Sequence, residues 1–386
     1  MWEQYMNNKS KKYEVVIIGG GVIGVSIAYK LSMNNIKCAI IEKNNLGHGA
    51  TRAAAGVISP LFYGSDQIGS PMSKMRIMSY EMFLNLENEF EELEIESPYK
   101  KTGIFRTAFD ESELQLLKNL SETTKKFGVK SELIDDLNLR NELNFINEEI
   151  TGGMFFPDEG YVDGLDFVTK LKFAITKMGS DVFENEEFID FNIENENINK
   201  LTTSEQTIFT ENLIFATGSE NILSKFDLPK ELNIYPVKGQ YILVRAKDFN
   251  LPYTIGDGTY GQIENGPGYQ GYLVPRDDNM IYIGASKHHG KNDKSIELEG
   301  VDFCLKIAKK YLRSIENLEF ISANSGIRPQ SKSGNPIIKK IFNKENIFFV
   351  SGHFAQGMML SLGTAEIIKN YLNKSDVTLF EEFNQM

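Results

Sequence analysis

Three consecutive glycines, Gly19 to Gly21, interrupt the apolar run VVIIGGGVIGVSIAYKL, and with Gly24 they spell G-x-G-x-x-G. One glycine of such a set makes a tight strand-to-helix turn, a second lets backbone approach a pyrophosphate, and the third lets the helix pack closely on the strand. Val22 and Ile23 then open a helix whose N-H groups and positive dipole end face a phosphate. A second apolar run, KCAIIEK, ends in Glu42 about twenty residues on, where an acid is expected to hold a ribose hydroxyl and to disfavour a 2'-phosphate. Lys43, its neighbour, counts with it as a candidate contact. Together these residues fit an adenine dinucleotide, FAD or NAD, and not NADP.

Other reactive residues are sparse. Cys38 and Cys304 lie far apart, and the four histidines show no metal-ligand spacing, so neither a disulfide nor a metal is expected. His288 and His289, in SKHHG, read as loop residues. Cys304 sits in VDFCLKIAKKYL, whose apolar residues recur at helical spacing and so point to a core position.

The elements that would position these groups can be read from period and punctuation. Tyr13 to Ile18 is expected as a buried strand and Val22 to Ser32 as a helix. GHGATRAAAGVISP, with Thr51 and Arg52 inside a run of small residues, suits backbone lying close along the cofactor. Up to Ile150 the chain reads as charged amphipathic helices, one of them with a capping box from Asp110 and Glu113 and an end near Gly128. A helix from Leu165 with a glycine stop at Gly179 follows, then strands near Val182 and Phe188. ENLIFATGSE is another buried strand, running into Ala216, Thr217 and Gly218. YPVKGQYILVR and GYLVPRDDNMIYIGAS alternate as antiparallel strands, because the turn from Arg276 to Met280 is too short for a parallel crossover.

Composition narrows the class of protein. The chain has 386 residues, 41% of them hydrophobic, and a net charge of -12 spread along its length. That balance disfavours nucleic acid and anionic membranes as partners. No apolar run reaches the roughly 18 residues of a membrane span, and the N-terminal segment is polar, so a cytoplasmic protein is expected.

Specific words along the chain now add a resemblance. GHGATRAAAGVISP resembles the flavin-contacting segment of the D-amino-acid oxidase superfamily of FAD proteins, and most closely that of the glycine oxidases. PVKG, VPR and the C-terminal pair SGIRPQSKSGNPII and SGHFAQGMM resemble their counterparts there, so the likeness runs from about Tyr13 to Leu372 and is weak between Ser65 and Ile150. The resemblance implies noncovalent FAD, with Thr51, Arg52, Ala54, Ala55, Gly56, Phe188, Gly326, His353, Phe354, Gly357 and Met358 joining the glycine turn around it. Arg328 matches the family's carboxylate-binding arginine, and Tyr272 the tyrosine whose hydroxyl assists it. Arg276, at the end of its strand, reads as structural.

The implied fold is α/β (α+β). Residues 1-88, 151-222 and 322-386 form a Rossmann-like FAD-binding domain from discontinuous segments. Residues 89-150 and 223-321 form a largely antiparallel β-sheet substrate domain. The implied reaction is oxidation of glycine, sarcosine or a small D-amino acid: hydride passes from Cα to flavin N5, the imine hydrolyses, and O2 becomes H2O2. A dehydrogenase passing electrons to a quinone or partner, and a catalytic subunit of a sarcosine oxidase or proline dehydrogenase complex, stay open, as does a homo-oligomer. Departures from the glycine oxidase pattern bear on the pocket. Lys287 and Val57 stand where an apolar and a larger apolar residue are usual, and Ala355 and Gln356 replace a more polar pair. A lysine there favours an acidic or polar substrate group.

Overall fold

The computed structural model describes residues 11–60, 68–194, 197–220, 232–257 and 271–386. Five parallel strands form the centre of a first sheet, in the order Asp181–Glu184, Cys38–Glu42, Lys11–Ile18, Thr207–Phe215 and Ile347–Ser351. A parallel sheet covered on both faces needs continuous apolar runs, and VVII, CAII, LIF and IFFV supply them. The hairpin Phe188–Glu194 and Asn197–Thr203 extends the sheet antiparallel from one end of Thr207–Phe215, and Ile337–Lys340 pairs with Ile347–Ser351. Helices Val22–Met33, Pro71–Glu92, Gly164–Lys177 and Gly357–Leu372 bury their apolar residues against one face. Phe188, Phe215, Phe349 and their neighbours close the other.

Nine strands form the second sheet, antiparallel except where Thr254–Asp257 runs parallel to Ile104–Ala108. Its longest pair is Ile234–Arg245 against Glu319–Ser331, in register from Ile234 opposite Ser331 to Arg245 opposite Glu319, which sets Val237 opposite Arg328 and Gly239 opposite Gly326. Met280–Gly284 lies on the other edge of Ile234–Arg245 and pairs in turn with Tyr272–Pro275. The helix Leu298–Tyr311 covers the apolar face and carries the fully buried Cys304. A small ribbon of Val57–Ile58, Gly160–Val162 and Tyr99–Lys100 completes the strands. Cys38, also fully buried, sits in the first sheet as a free thiol like Cys304.

Several expected elements appear with small shifts. Asp110 caps the helix Glu111–Lys125 by accepting the Glu113 amide at 2.8 Å, while the Glu113 carboxylate accepts from Phe109, one residue earlier than a capping box. The helix Gly164–Lys177 starts at the Asp163 cap and stops before Gly179. Two readings need correction. The stretch before Ile150 includes the edge strand Glu132–Asp135 among its helices. His288 and His289 are a two-residue edge strand opposite Lys238 and Val237, drawn into the sheet by that neighbour. Gly152–Phe156 pairs within the second sheet, and Glu319–Ser331 runs through position 322 without a break. The expected division after 222 lies outside the described residues.

Candidate active site

Between the two sheets lies a cavity of about 710 Å³ with walls from both ends of the chain. At one end the strand Lys11–Ile18 turns into the helix Val22–Met33. Gly19 has φ of +114°, and a β-carbon there would lie 2.4 Å from the Ala216 carbonyl oxygen, so only glycine fits. On Gly21 a β-carbon would meet only the Thr51 hydroxyl, at 3.6 Å, and would otherwise enter the cavity. Gly24 is not in the wall: its β-carbon would strike the Gly19 carbonyl oxygen at 2.0 Å, which makes it the packing glycine of the set. Glu42 accepts the Gly20 amide at 2.7 Å and the Asn44 amide at 2.8 Å, fixing the turn while its side chain lines the cavity.

Sequence reading missed one hydrogen bond here. The Val22 N-H donates to Thr51 Oγ1 at 2.9 Å, so that amide is taken by the protein's own hydroxyl. Val22, Ile23, Lys43, Thr51, Ala54, Ala55, Gly56 and Val57 all line the cavity, as do Phe188, Ala216, Thr217 and Gly218. Arg52 does not: it is exposed and faces a separate cavity of about 340 Å³ beside Tyr161, Tyr241 and Arg276. In a turn of 3-10 geometry, successive side chains diverge, so Thr51 points in and Arg52 out. Arg276 is structural, as its sequence position suggested. It donates to the Ala55 carbonyl at 2.8 Å and lies over the rings of Tyr161 and Tyr282.

The C-terminal words form the opposite wall. Gly326, Arg328, His353, Phe354, Gly357 and Met358 all line it. His353 is buried, with Nε2 3.0 Å from the Thr364 hydroxyl. That hydroxyl donates to the Met75 sulfur, so it accepts from a His353 Nε2-H and leaves Nδ1 as a buried acceptor with no partner among the described residues. Burial pushes the imidazole pKa down to about 3 and keeps the ring neutral. The side chain of Gln356 is engaged by the buried Arg76, which fixes it at the start of the helix Gly357–Leu372.

Arg328 stands on a glycine platform. Its guanidinium atoms lie 2.4 to 2.6 Å from where a β-carbon on the cross-strand Gly239 would be, and Nη1 donates to the Ser286 carbonyl at 2.8 Å. Tyr272 makes the same use of Gly256, whose β-carbon would meet the ring at 2.4 Å. Tyr272, Arg328 and Lys287 line the same cavity, with Tyr282 stacked on Tyr241 at 4.4 Å between rings. Sequence reasoning left out Ser59, Glu187, Gly239, Tyr282 and Lys294 from this wall. Gly239 lay within the word PVKG, whose glycine was the available signal. Nothing local distinguishes Lys294 in KNDKSIE from a solvated loop lysine.

Behind the wall, Ser59 accepts from the fully buried Arg106 at 2.9 Å, and the same guanidinium is 3.5 Å from Glu159. Glu159 is also fully buried, and loss of solvation raises its carboxyl to about 7 despite Arg106. His288 lies near Glu297 and Glu299, with ligand atoms within 4.8 Å of one another, but Glu297 already carries Lys291 at 2.7 Å.

A strand-turn-helix with an open glycine cradle, an acid on the following strand, and a long cavity closed by a second sheet define a dinucleotide-dependent oxidoreductase. The chain matches the FAD dependent oxidoreductase family over residues 14–370 and belongs to it, with FAD as cofactor. Glycine oxidase of Geobacillus kaustophilus is 28% identical over 367 residues, covering 95% of this chain and 94% of that one. Glycine oxidase of Bacillus subtilis is 26% identical, covering 97% and 95%. Among solved structures, glycine oxidase from Bacillus cereus ATCC 14579 superimposes with a TM-score of 0.82 at 26% identity, covering 96% of this chain and 98% of that one. L-proline dehydrogenase from P. horikoshii shares the fold with a TM-score of 0.82 at 21% identity. The residues present fit FAD: the space over Gly21 admits a pyrophosphate, and the unpartnered His353 Nδ1 is a polar atom beside the same cavity. No helix among the described residues is long and apolar enough to cross a membrane.

Proposed function

We propose that the enzyme oxidises the Cα–N bond of a small amino acid, with the substrate carboxylate held by Arg328. The observation that carries this reading is the Arg328 guanidinium on Gly239, facing the FAD cavity together with Tyr272. A planar guanidinium grips a carboxylate through two parallel hydrogen bonds, which fixes the Cα–H direction as well as the affinity. Bound FAD supplies a two-electron acceptor for hydride. Tyr272 adds a hydroxyl to the carboxylate end. A neutral amine needs no protein base for this step. His353, uncharged and hydrogen-bonded to Thr364, serves as a fixed polar contact.

Glycine, sarcosine and small D-amino acids are the candidate substrates, and the glycine oxidase relatives support that class. The test is anaerobic mixing of the FAD-loaded protein with these compounds while the oxidised flavin band is followed. Bleaching by an amino acid, with peroxide formed when oxygen is admitted, is the expected result. Bleached flavin that oxygen leaves reduced but a quinone reoxidises would replace the oxidase by a dehydrogenase. Absence of bleaching by every amine would overturn the amino acid reading.

A further inference from the structure

Arg328 is held by a break in regular pairing two places along its sheet. Met280–Gly284 pairs with Ile234–Arg245 as far as Gly284 opposite Tyr241, and pairing resumes with His288 opposite Lys238. Between these points Gly239 and Gln240 face Ala285, Ser286 and Lys287, so the second segment has one residue too many and bulges.

Ser286 sits in this bulge and is buried. Its N-H donates to the Gln240 carbonyl at 3.0 Å, as in an ordinary ladder. The return bond differs. In a regular hydrogen-bonded antiparallel pair it would run to the main-chain carbonyl, but the Gln240 N-H donates to the Ser286 hydroxyl at 3.0 Å. The Ser286 carbonyl turns instead to Arg328 and accepts from Nη1 at 2.8 Å.

Gln240 gives the bulge a fixed base. It is buried, its Oε1 accepts the Glu297 amide at 2.6 Å, and its carbonyl receives the Cys304 thiol at 3.4 Å. Beyond the bulge, the fully buried Lys238 reaches Asp293 at 2.8 Å and Ser295 at 3.0 Å, which ties down the chain that follows His289. A guanidinium is planar and carries five N-H groups, so one bond at Nη1, made over the Gly239 platform, sets the plane and directs the remaining N-H groups together. A two-point grip on a carboxylate depends on that direction.

We propose that Ser286 is a positioning residue of the carboxylate site: its hydroxyl satisfies the Gln240 amide, which releases its carbonyl to orient Arg328 toward the substrate. This rests on the carboxylate-binding role proposed for Arg328 and adds the residue that sets its geometry.

The test titrates acetate, an inert carboxylate, against the flavin spectrum of the FAD-loaded enzyme, so the readout does not require any amine to be oxidised. In Ser286→Ala the Gln240 N-H loses its acceptor and competes for the Ser286 carbonyl. Half-saturation by acetate is expected to rise by roughly 5- to 30-fold, the scale of one buried hydrogen bond, with FAD content unchanged. Ser286→Thr keeps the hydroxyl and is expected to retain the parent value. Arg328→Lys keeps the charge without the planar fork, so adding Ser286→Ala to it is expected to change half-saturation by less than about 2-fold. Parent-like acetate affinity in Ser286→Ala overturns the proposal. So does an equal loss on the Arg328→Lys background, because Ser286 would then act by another route. Where Ser286→Ala does not retain FAD, Ser286→Cys, whose thiol accepts a hydrogen bond only weakly, is read by the same outcomes. If no amine bleaches the flavin while acetate follows this pattern, the amino acid reading falls and the positioning role stands. If amines bleach the parent flavin and Ser286→Ala binds acetate as the parent does, the positioning role alone falls.

Discussion

Arg328 and Gly239 work as a unit, because the guanidinium occupies the space a side chain at 239 would need. Replacing Arg328 by Met is expected to keep FAD bound and to weaken amino acid binding by about 2 to 5 kcal/mol, the range for a desolvated charge pair that loses one member. Replacing Gly239 by Ala leaves the arginine present but displaced, so flavin reduction should again require more substrate while FAD retention is normal. Titrating flavin reduction against substrate checks both. Glu159 and His353 make opposite contributions to pH dependence. With a carboxyl raised from 4.5 to about 7, native Glu159 holds a proton that the unfolded chain has lost, so stability declines by about 3 kcal/mol as pH rises through that window. His353, lowered from 6.5 to about 3, refuses a proton that the unfolded chain accepts, so its contribution is lost as pH falls through that range. In Glu159→Gln the decline between pH 4.5 and 7 should vanish while the acid-side loss persists, as read from melting temperature against pH.

The strand-turn-helix from Lys11 to Met33 was the most legible element, since its apolar runs and its glycines lie within one short stretch. Its two inner glycines should fail differently. Gly21→Val projects into the cavity and is expected to yield folded protein without FAD, whereas Gly24→Val strikes the Gly19 carbonyl and should compromise folding. Flavin absorbance per protein, read beside far-ultraviolet circular dichroism, separates the two. What could not be read locally was pairing. Arg328 was identified from its word, yet its platform depends on the register of Ile234–Arg245 against Glu319–Ser331, a contact between distant segments. The same limit hid the edge strand of His288 and His289, which has only two residues and takes its conformation from Lys238. Arg52 was misjudged because the side-chain directions in a single 3-10 turn send Thr51 to the cavity and Arg52 away from it, and the bond from the Val22 amide to Thr51 depends on that same turn.

The whole molecule places its cofactor cavity where segments from near both ends of the sequence converge, from Gly19 to Met358. The order of elements disclosed two kinds of sheet, because buried parallel strands and alternating antiparallel ones differ in pattern, and the family resemblance implied their discontinuous make-up. They did not disclose how far the cores merge. Ala108, Met154 and Phe156 belong to strands of the second sheet yet pack in the same cluster as Val25 and Leu31 beneath the first. A shared core predicts that the sheets lose structure together.

The two buried cysteines turn that shared core into a kinetic question. Cys38 lies in one sheet and Cys304 beneath the other, and burial holds both thiols in the unreactive protonated form, Cys304 near 12. A thiol-alkylating reagent can then act only during an opening event. With one cooperative opening, both sites are modified along a single time course, and excess FAD slows both alike. Two separate time courses, read by peptide mass after quenching, would mean that the sheets breathe independently. The native chain thus carries its own clock for each half.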